Sequence, residues 1–186
     1  PAPIADPTLS GTGKAGQLKV TGLSVVTGRG FEASDLTLRY SADPNSCASG
    51  QRVDDGDILP ANGWESKTYY FCQTGIGVNN QPAASPVASA TGTATGRPSD
   101  VGVRIVNVNS TSLTVRWDPI GANPALSGLK VYLNNREQPV GVGATEATFS
   151  DLAQGTEYSA TVAATNDWGT TQMQADSSVV TKLDVN

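Results

Sequence analysis

Histidine is missing from this chain of 186 residues, and that absence removes more chemistry than any other feature of it. Without an imidazole there is no Ser-His or Cys-His nucleophile pair, and the commonest general base and metal ligand is gone. Cysteine is scarce: Cys47 and Cys72 are the only two, too few for a disulfide-rich scaffold and without the spacing of a metal site. Aromatic residues (6%) and charged residues (16%) are sparse, while Gly, Ser, Thr, Val and Ala fill the chain. Such a composition favours short strands and many turns over long helices. No apolar run approaches the roughly 20 residues of a membrane helix, and no signal peptide or anchor is visible. The expectation is a chain that does not itself span a membrane. It opens at Pro1-Ala-Pro3 without an initiator methionine, which reads as a mature segment or a piece of a longer protein.

The net charge of −5 is spread evenly, with six basic and eight acidic residues before Arg97 and six basic and nine acidic from it onward. Neither half has a basic face, so a nucleic-acid backbone is not an expected partner. The acidic balance serves solubility. Cys72 ends the strand-like run Thr68-Tyr-Tyr-Phe-Cys72, and Cys47 sits in a loop-like stretch from Asp43 to Gly50. A bond between them is the expectation, two free thiols the alternative. It closes a loop of about 26 residues, worth about 3.5 kcal/mol in the chain-entropy account before native strain is subtracted. A disulfide also places a protein outside the cytoplasm.

The length suits one or two domains. The small, polar stretch from Ala90 to Gly96 reads as a linker, which divides the chain into domains 1–95 and 96–186. In the second domain, residues 101–108 are apolar-rich and read as a first strand. Leu113, Val115 and Trp117 alternate with Thr114 and Arg116, so the three share one face of a strand. Leu129, Val131 and Leu133 repeat the pattern, with Lys130 and Tyr132 outward, and residues 134–136 read as a turn. A short strand covers residues 147–149. Tyr158, Ala160, Val162 and Ala164 line the inner face of the next, and Asn166-Asp167-Trp168-Gly169 turns into the last, which ends near Lys182.

That order, with Trp117 before Pro119 and with Leu152 six residues ahead of Tyr158, resembles the fibronectin type III family. The resemblance implies an immunoglobulin-like β-sandwich in which Trp117 is the core tryptophan. It makes Tyr158 the corner tyrosine, whose hydroxyl bonds a backbone group upstream, and residues 166–169 the turn the family letters F–G. The first half carries a weaker echo. Leu18 and Val20, then Leu36, Leu38 and Tyr40, read as strands. The spacing from Trp64 to Tyr70 repeats that from Leu152 to Tyr158, so Tyr70 takes the corner role and Cys72 points inward. Residues 77–80 form the next turn and 87–91 the closing strand. On this reading the first half is a divergent copy of the same fold, with the disulfide and Trp64 in place of the missing tryptophan. Another immunoglobulin-like sandwich is the competing assignment. The expected fold class is therefore all-β, two tandem sandwiches of fibronectin type III type.

Catalysis is not expected. A paired-carboxylate site stays formally open, but most acidic residues, Asp43, Asp151 and Asp167 among them, fall in turns. Asp54-Asp55-Gly56-Asp57 lacks the alternating order and distal Glu of a calcium loop and reads as a solvated turn. No metal or other cofactor is expected. Leu183-Asp184-Val185 matches a short integrin-recognition tripeptide, and Asn109-Ser110-Thr111 is a glycosylation sequon; neither is assigned a role.

The resemblance implies a module used for binding or spacing. The Thr-, Ala- and Gly-rich, low-lysine style is similar to actinobacterial surface proteins, gut-commensal ones included, that carry tandem repeats of this family. That similarity implies the extracellular or cell-surface ectodomain of a longer bacterial protein, monomeric, used in adhesion. The implied partner is a host extracellular protein, whether a tumour necrosis factor-type cytokine or a matrix protein. The candidate partner-binding residues are Trp168, Tyr132, Asp167 and Asn166. The alternative is a passive spacer between other domains of a surface protein or a secreted carbohydrate-active enzyme.

Overall fold

A computed structural model describes residues 1–185. The chain is all-β and divides into two compact units, one spanning Pro1–Thr95 and the other running from Gly96 on.

In the first unit the strands are β1 (Thr8–Gly11), β2 (Gln17–Thr21), β3 (Thr37–Ser41), β4 (Gln51–Arg52), β5 (Ile58–Pro60), β6 (Ser66–Ile76), β7 (Pro82–Ala84) and β8 (Ala88–Thr93). One sheet has the order β1-β2-β5; the other runs β4-β3-β6-β7, with β8 also on β6. β6 is long enough to pair β8 through Ser66–Phe71 and β7 through Thr74–Ile76. The break between β7 and β8 falls at Ser85-Pro86. Proline has no N–H to give a ladder, and Ser85 Oγ accepts the Gln73 N–H instead, at 3.0 Å.

Alternation along β6 sends Tyr69, Phe71 and Gln73 to the face that meets the other sheet. There Leu18, Val20, Leu59, Tyr69 and Phe71 form the core with Leu9 and Val53. Tyr40 stands edge-on to Tyr69, ring centroids 5.3 Å apart, and 6.4 Å from Phe71. This trio, with Trp64 only partly buried at its margin, supplies the aromatic bulk that a core tryptophan supplies in the second unit.

Three expectations for this unit are corrected here. Tyr69, not Tyr70, takes the inward position: it is buried, and its hydroxyl donates to Pro60 O at 2.7 Å. Cys72 therefore points to the opposite, outer face. Its disulfide to Cys47 (Cα–Cα 6.1 Å) ties the short helical turn Cys47–Ser49 onto the outside of the sheet instead of bridging the two sheets. Residues 90–96 are not a free linker, because β8 runs through them as far as Thr93.

The second unit has strands β9 (Val103–Val106), β10 (Leu113–Trp117), β11 (Gly128–Leu133), β12 (Arg136–Val140), β13 (Glu146–Phe149), β14 (Glu157–Tyr158), β15 (Ala160–Asn166), β16 (Gly169–Gln174) and β17 (Val179–Val180). Its sheets have the orders β9-β10-β13 and β12-β11-β15-β16, with β14 and β17 paired at one end. The strand order of the first unit is thus repeated. Between the sheets lie Leu113, Val115, Trp117, Leu129, Val131, Leu133, Phe149, Val162 and Met173, among others.

The tryptophan is 1% exposed, and its indole N–H has no hydrogen-bond partner among the described residues. The Tyr158 hydroxyl accepts the Ala153 N–H at 3.0 Å, the upstream bond that the resemblance implied. One strand was not expected. The turn is shorter than residues 134–136, and Arg136 opens β12, an edge strand in which Pro139 lies opposite Lys130. A proline there has no ladder bond to lose and leaves no N–H for a further strand.

Candidate functional site

The turn between β15 and β16 is built from its first residue. Asn166 closes β15 with its side chain inward, 4% exposed. Its Nδ2 donates to Gly96 O at 2.8 Å and Pro124 O at 2.9 Å, and its Oδ1 accepts the Trp168 N–H at 3.0 Å. An Asx-type bond of this kind sets the turn locally. The amide also holds the segment leading into the domain and the loop between β10 and β11. Asn166, expected among the partner-binding residues, is instead buried, and its bonds go to the backbone of Gly96, Pro124 and Trp168. Gly169 follows with φ +130°, and a Cβ there would lie 3.0 Å from Arg97 Nε, so the guanidinium packs flat on the glycine. The turn is left with two side chains for solvent, exposed Asp167 and Trp168, the latter 47% exposed while Trp117 is buried.

Tyr132 is half-buried on the outer face of the same sheet, opposite Thr161 on β15 and Glu137 on β12. Beside it Lys130 Nζ meets Glu137 Oε1 at 2.7 Å, and that bond holds the ammonium above its ordinary pKa, with Tyr132 adding to the effect. Thr161 lies five residues before Asn166, so about 17 Å of strand separates Tyr132 from the turn. The two aromatics do not form one small patch. A single partner reaches both only through a footprint of ordinary size, about 800 Å² per side.

The remaining motifs are engaged in hydrogen bonds within the chain. Asp57 Oδ2 accepts the Asp54 N–H at 2.8 Å within the turn, and Asp55 Oδ1 accepts the Leu23 N–H at 3.0 Å from the preceding loop, so both carboxylates are backbone acceptors. No group of three or more His, Cys, Asp or Glu poised for a metal occurs among the described residues. Asp184 is paired with Gln154 in both directions, accepting from Nε2 at 3.1 Å and donating its N–H to Oε1 at 3.2 Å. Asn109 is exposed, in the turn before β10, its Nδ2 3.3 Å from Ser112 Oγ.

The first unit holds its loops by the same chemistry, through a residue that sequence reasoning passed over. Gln73, fully buried on β6, donates Nε2 to Ala2 O at 2.6 Å and Val26 O at 2.8 Å, while its Oε1 accepts the Val26 N–H at 2.9 Å. In both units a buried carboxamide thus joins the leading segment to the loop between the second and third strands. No motif signals a glutamine of this kind; only its place opposite Leu38 in the ladder explains it.

This fold is that of an immunoglobulin-like β-sandwich. Residues 96–180 match the fibronectin type III domain family, whose domains are commonly protein-binding or spacer modules and typically non-catalytic. Among solved structures, a two-domain fibronectin type III segment from chicken tenascin is 15% identical, with 96% of this chain and 99% of that one covered and a TM-score of 0.47. The FN1–FN3 domains of chicken CNTN1 are 15% identical, with 98% of this chain covered, 65% of that one and a TM-score of 0.35. This chain therefore spans less than two thirds of that segment. A fibronectin type III domain of a human protein named KIAA0970 is 20% identical over 47% of this chain and 78% of its own, with a TM-score of 0.36. No curated protein is similar to the chain in sequence.

Proposed function

We propose that the chain is an extracellular protein-binding module in which the Asp167–Trp168 turn makes the central contact. The observation that carries this reading is the exposure of Trp168 on a turn whose backbone is already fixed by Asn166 and Gly169. An exposed indole on a pre-organised turn loses little conformational entropy on binding, and tryptophan is the residue most enriched at interface hot spots. The buried disulfide suits an oxidising compartment. On this reading the first unit is a divergent copy of the second, supported by the common strand order and the two buried carboxamides. The source is a bacterial surface protein, and the partner is a host extracellular protein, a tumour necrosis factor-type cytokine or a matrix protein.

Surface plasmon resonance of the whole chain over immobilised cytokines of that type and matrix proteins tests it. The expected result is binding to at least one, weakened about tenfold or more by Trp168→Ala and less by Tyr132→Ala. Absence of binding to all of them, or unchanged affinity in Trp168→Ala, overturns the reading and favours a spacer.

A further inference from the structure

The outer face of the first unit carries a hollow that neither its core nor its loops require. A groove of about 380 Å³ is lined by Thr37 and Arg39 on β3, Thr74 and Ile76 on β6, Pro82 on β7 and Ala48 in the disulfide-tied turn. Its floor is low because small side chains stand where a sheet face usually carries larger ones. Its walls are fixed: Ala48 by the neighbouring Cys47–Cys72 bond, and Ile76 and Pro82 as a cross-strand pair. Ile76 is 57% exposed. A second hollow, about 300 Å³, adjoins it with Pro82 and Ala83 as shared lining and carries Val78, which is 96% exposed. Apolar side chains exposed together beside a concavity mark an interaction surface more often than isolated ones do.

The charge in the groove says what such a surface takes. Arg39 is half-buried, with Nε donating to Thr74 Oγ1 at 3.1 Å and Nη1 to Gly50 O at 2.8 Å. Those bonds fix the guanidinium without neutralising it. Among the described residues Arg39 has no ion pair; the four that exist involve Arg52, Arg104, Arg116 and Lys130. Asp35 also lines the groove and keeps its charge; its Oδ2 accepts the Glu32 N–H at 3.0 Å, and it makes no ion pair with Arg39 among the described residues.

The residue directly opposite Arg39 in the ladder is Arg52, on the same face, and it pairs with Asp54 at 3.7 Å, both of those side chains being mostly solvent-exposed. Like charges directly opposite in a ladder are destabilising. In a chain of net charge −5, this outer face sets Arg39, without an ion pair among the described residues, beside the groove, with Arg52 and its partner Asp54 next to it. A rigid, unneutralised guanidinium is suited to a carboxylate held in its fork.

We propose that this groove docks an extended, acidic segment of a partner polypeptide, with an apolar side chain against Ile76 and Pro82 and a neighbouring carboxylate on Arg39. The site is separate from the Asp167–Trp168 turn, and each assignment stands or falls without the other.

A phage-displayed library of random peptides, selected on the whole chain, tests the proposal. The expected outcome is enrichment of peptides that place Asp or Glu next to Leu, Ile or Phe. Synthetic copies bind with an affinity that falls about tenfold in Arg39→Gln and in Ile76→Ser, and falls with salt. Their amide controls, Asn and Gln for Asp and Glu, bind about tenfold more weakly. Ile76→Ser alters an exposed side chain and keeps the test valid should Arg39→Gln unfold the unit, which a thermal melt reports. Failure of any peptide to enrich, enrichment of peptides without carboxylates, or equal binding to the parent chain and Ile76→Ser would each overturn it.

Discussion

Gln73 and Val26 hold one another through two hydrogen bonds, the side-chain Oε1 accepting the Val26 N–H at 2.9 Å and Nε2 donating to the Val26 carbonyl at 2.8 Å. The same Nε2 reaches Ala2 O. A buried amide satisfied on both ends costs little, but removing it leaves backbone groups unpaired in a dry interior, where each is expensive. Gln73→Leu is predicted to destabilise the first unit by about 2–4 kcal/mol, read as a shift of its urea midpoint. Gln73→Glu is predicted to be worse at neutral pH, since a carboxylate there faces two carbonyl oxygens, and to recover in part on acidification as the protonated acid regains a donor.

Asn166 provides the counterpart in the second unit. Asn166→Ala frees the carbonyls of Gly96 and Pro124 and the Trp168 N–H together. The expected loss is about 2–3 kcal/mol in that unit's unfolding, with faster amide exchange at Trp168. Substituting the neighbouring exposed Asp167 by Asn is predicted to leave stability within about 0.5 kcal/mol.

The second unit was the more legible of the two, and the reason is alternation. Leu113, Val115 and Trp117 are separated by polar residues, so the phase of β10 is unambiguous, and the Leu152–Tyr158 spacing locates the corner. In β6 the run Tyr69-Tyr70-Phe71 has no polar marker, and a phase error of one residue exchanges the two faces. That single slip placed Tyr70 and Cys72 inward. The pairing itself was readable because only two cysteines exist; its position was not. β12 was missed because an edge strand buries little and Arg136-Glu-Gln-Pro-Val carries no apolar period. Asn166 was misassigned for a different reason: an asparagine in a turn looks the same in sequence whether its amide meets solvent or three backbone groups.

Because the Cys47–Cys72 bond lies on the outer face, its loss opens the Cys47–Ser49 turn and leaves the core intact. The double variant Cys47→Ser, Cys72→Ser is expected to keep a folded first unit, destabilised by about 3 kcal/mol from loop entropy, with the second unit's transition unmoved. Guanidinium melts followed separately by the fluorescence of Trp64 and Trp117 check this, each tryptophan observed alone after the other two are replaced by Phe.

Burial pushes the Tyr69 phenol above its ordinary value of 10.0, and the charge on a neighbouring ionised Tyr40 adds to the shift. A raised native pKa means that the folded state favours the protonated phenol. Its contribution is fully present below the unfolded value of about 10 and is lost as pH rises through the native pKa. The first unit is therefore predicted to unfold more readily in that alkaline window. Tyr69→Phe, which removes both the titration and the bond to Pro60, should lose about 1 kcal/mol at neutral pH and much of the alkaline dependence. Stability measured across pH 8 to about 12 checks the sign.

Among the described residues the Trp117 indole N–H in the core has no hydrogen-bond partner. Trp117→Phe removes that donor along with part of the ring, so its cost is predicted to be no more than about 2 kcal/mol, against about 3–5 for Trp117→Ala. A loss for Trp117→Phe as large as that for Trp117→Ala in urea unfolding would contradict this.

The claim that the Asp167–Trp168 turn contacts a protein is tested most directly by hydrogen–deuterium exchange of the whole chain with and without the host protein that plasmon resonance identifies. The account predicts the strongest slowing of exchange at residues 167–170 and in the adjoining start of β11, with weaker protection toward Tyr132 at the other end of that strand. Protection elsewhere in the second unit, with the 167–170 amides exchanging at the free rate, would contradict it.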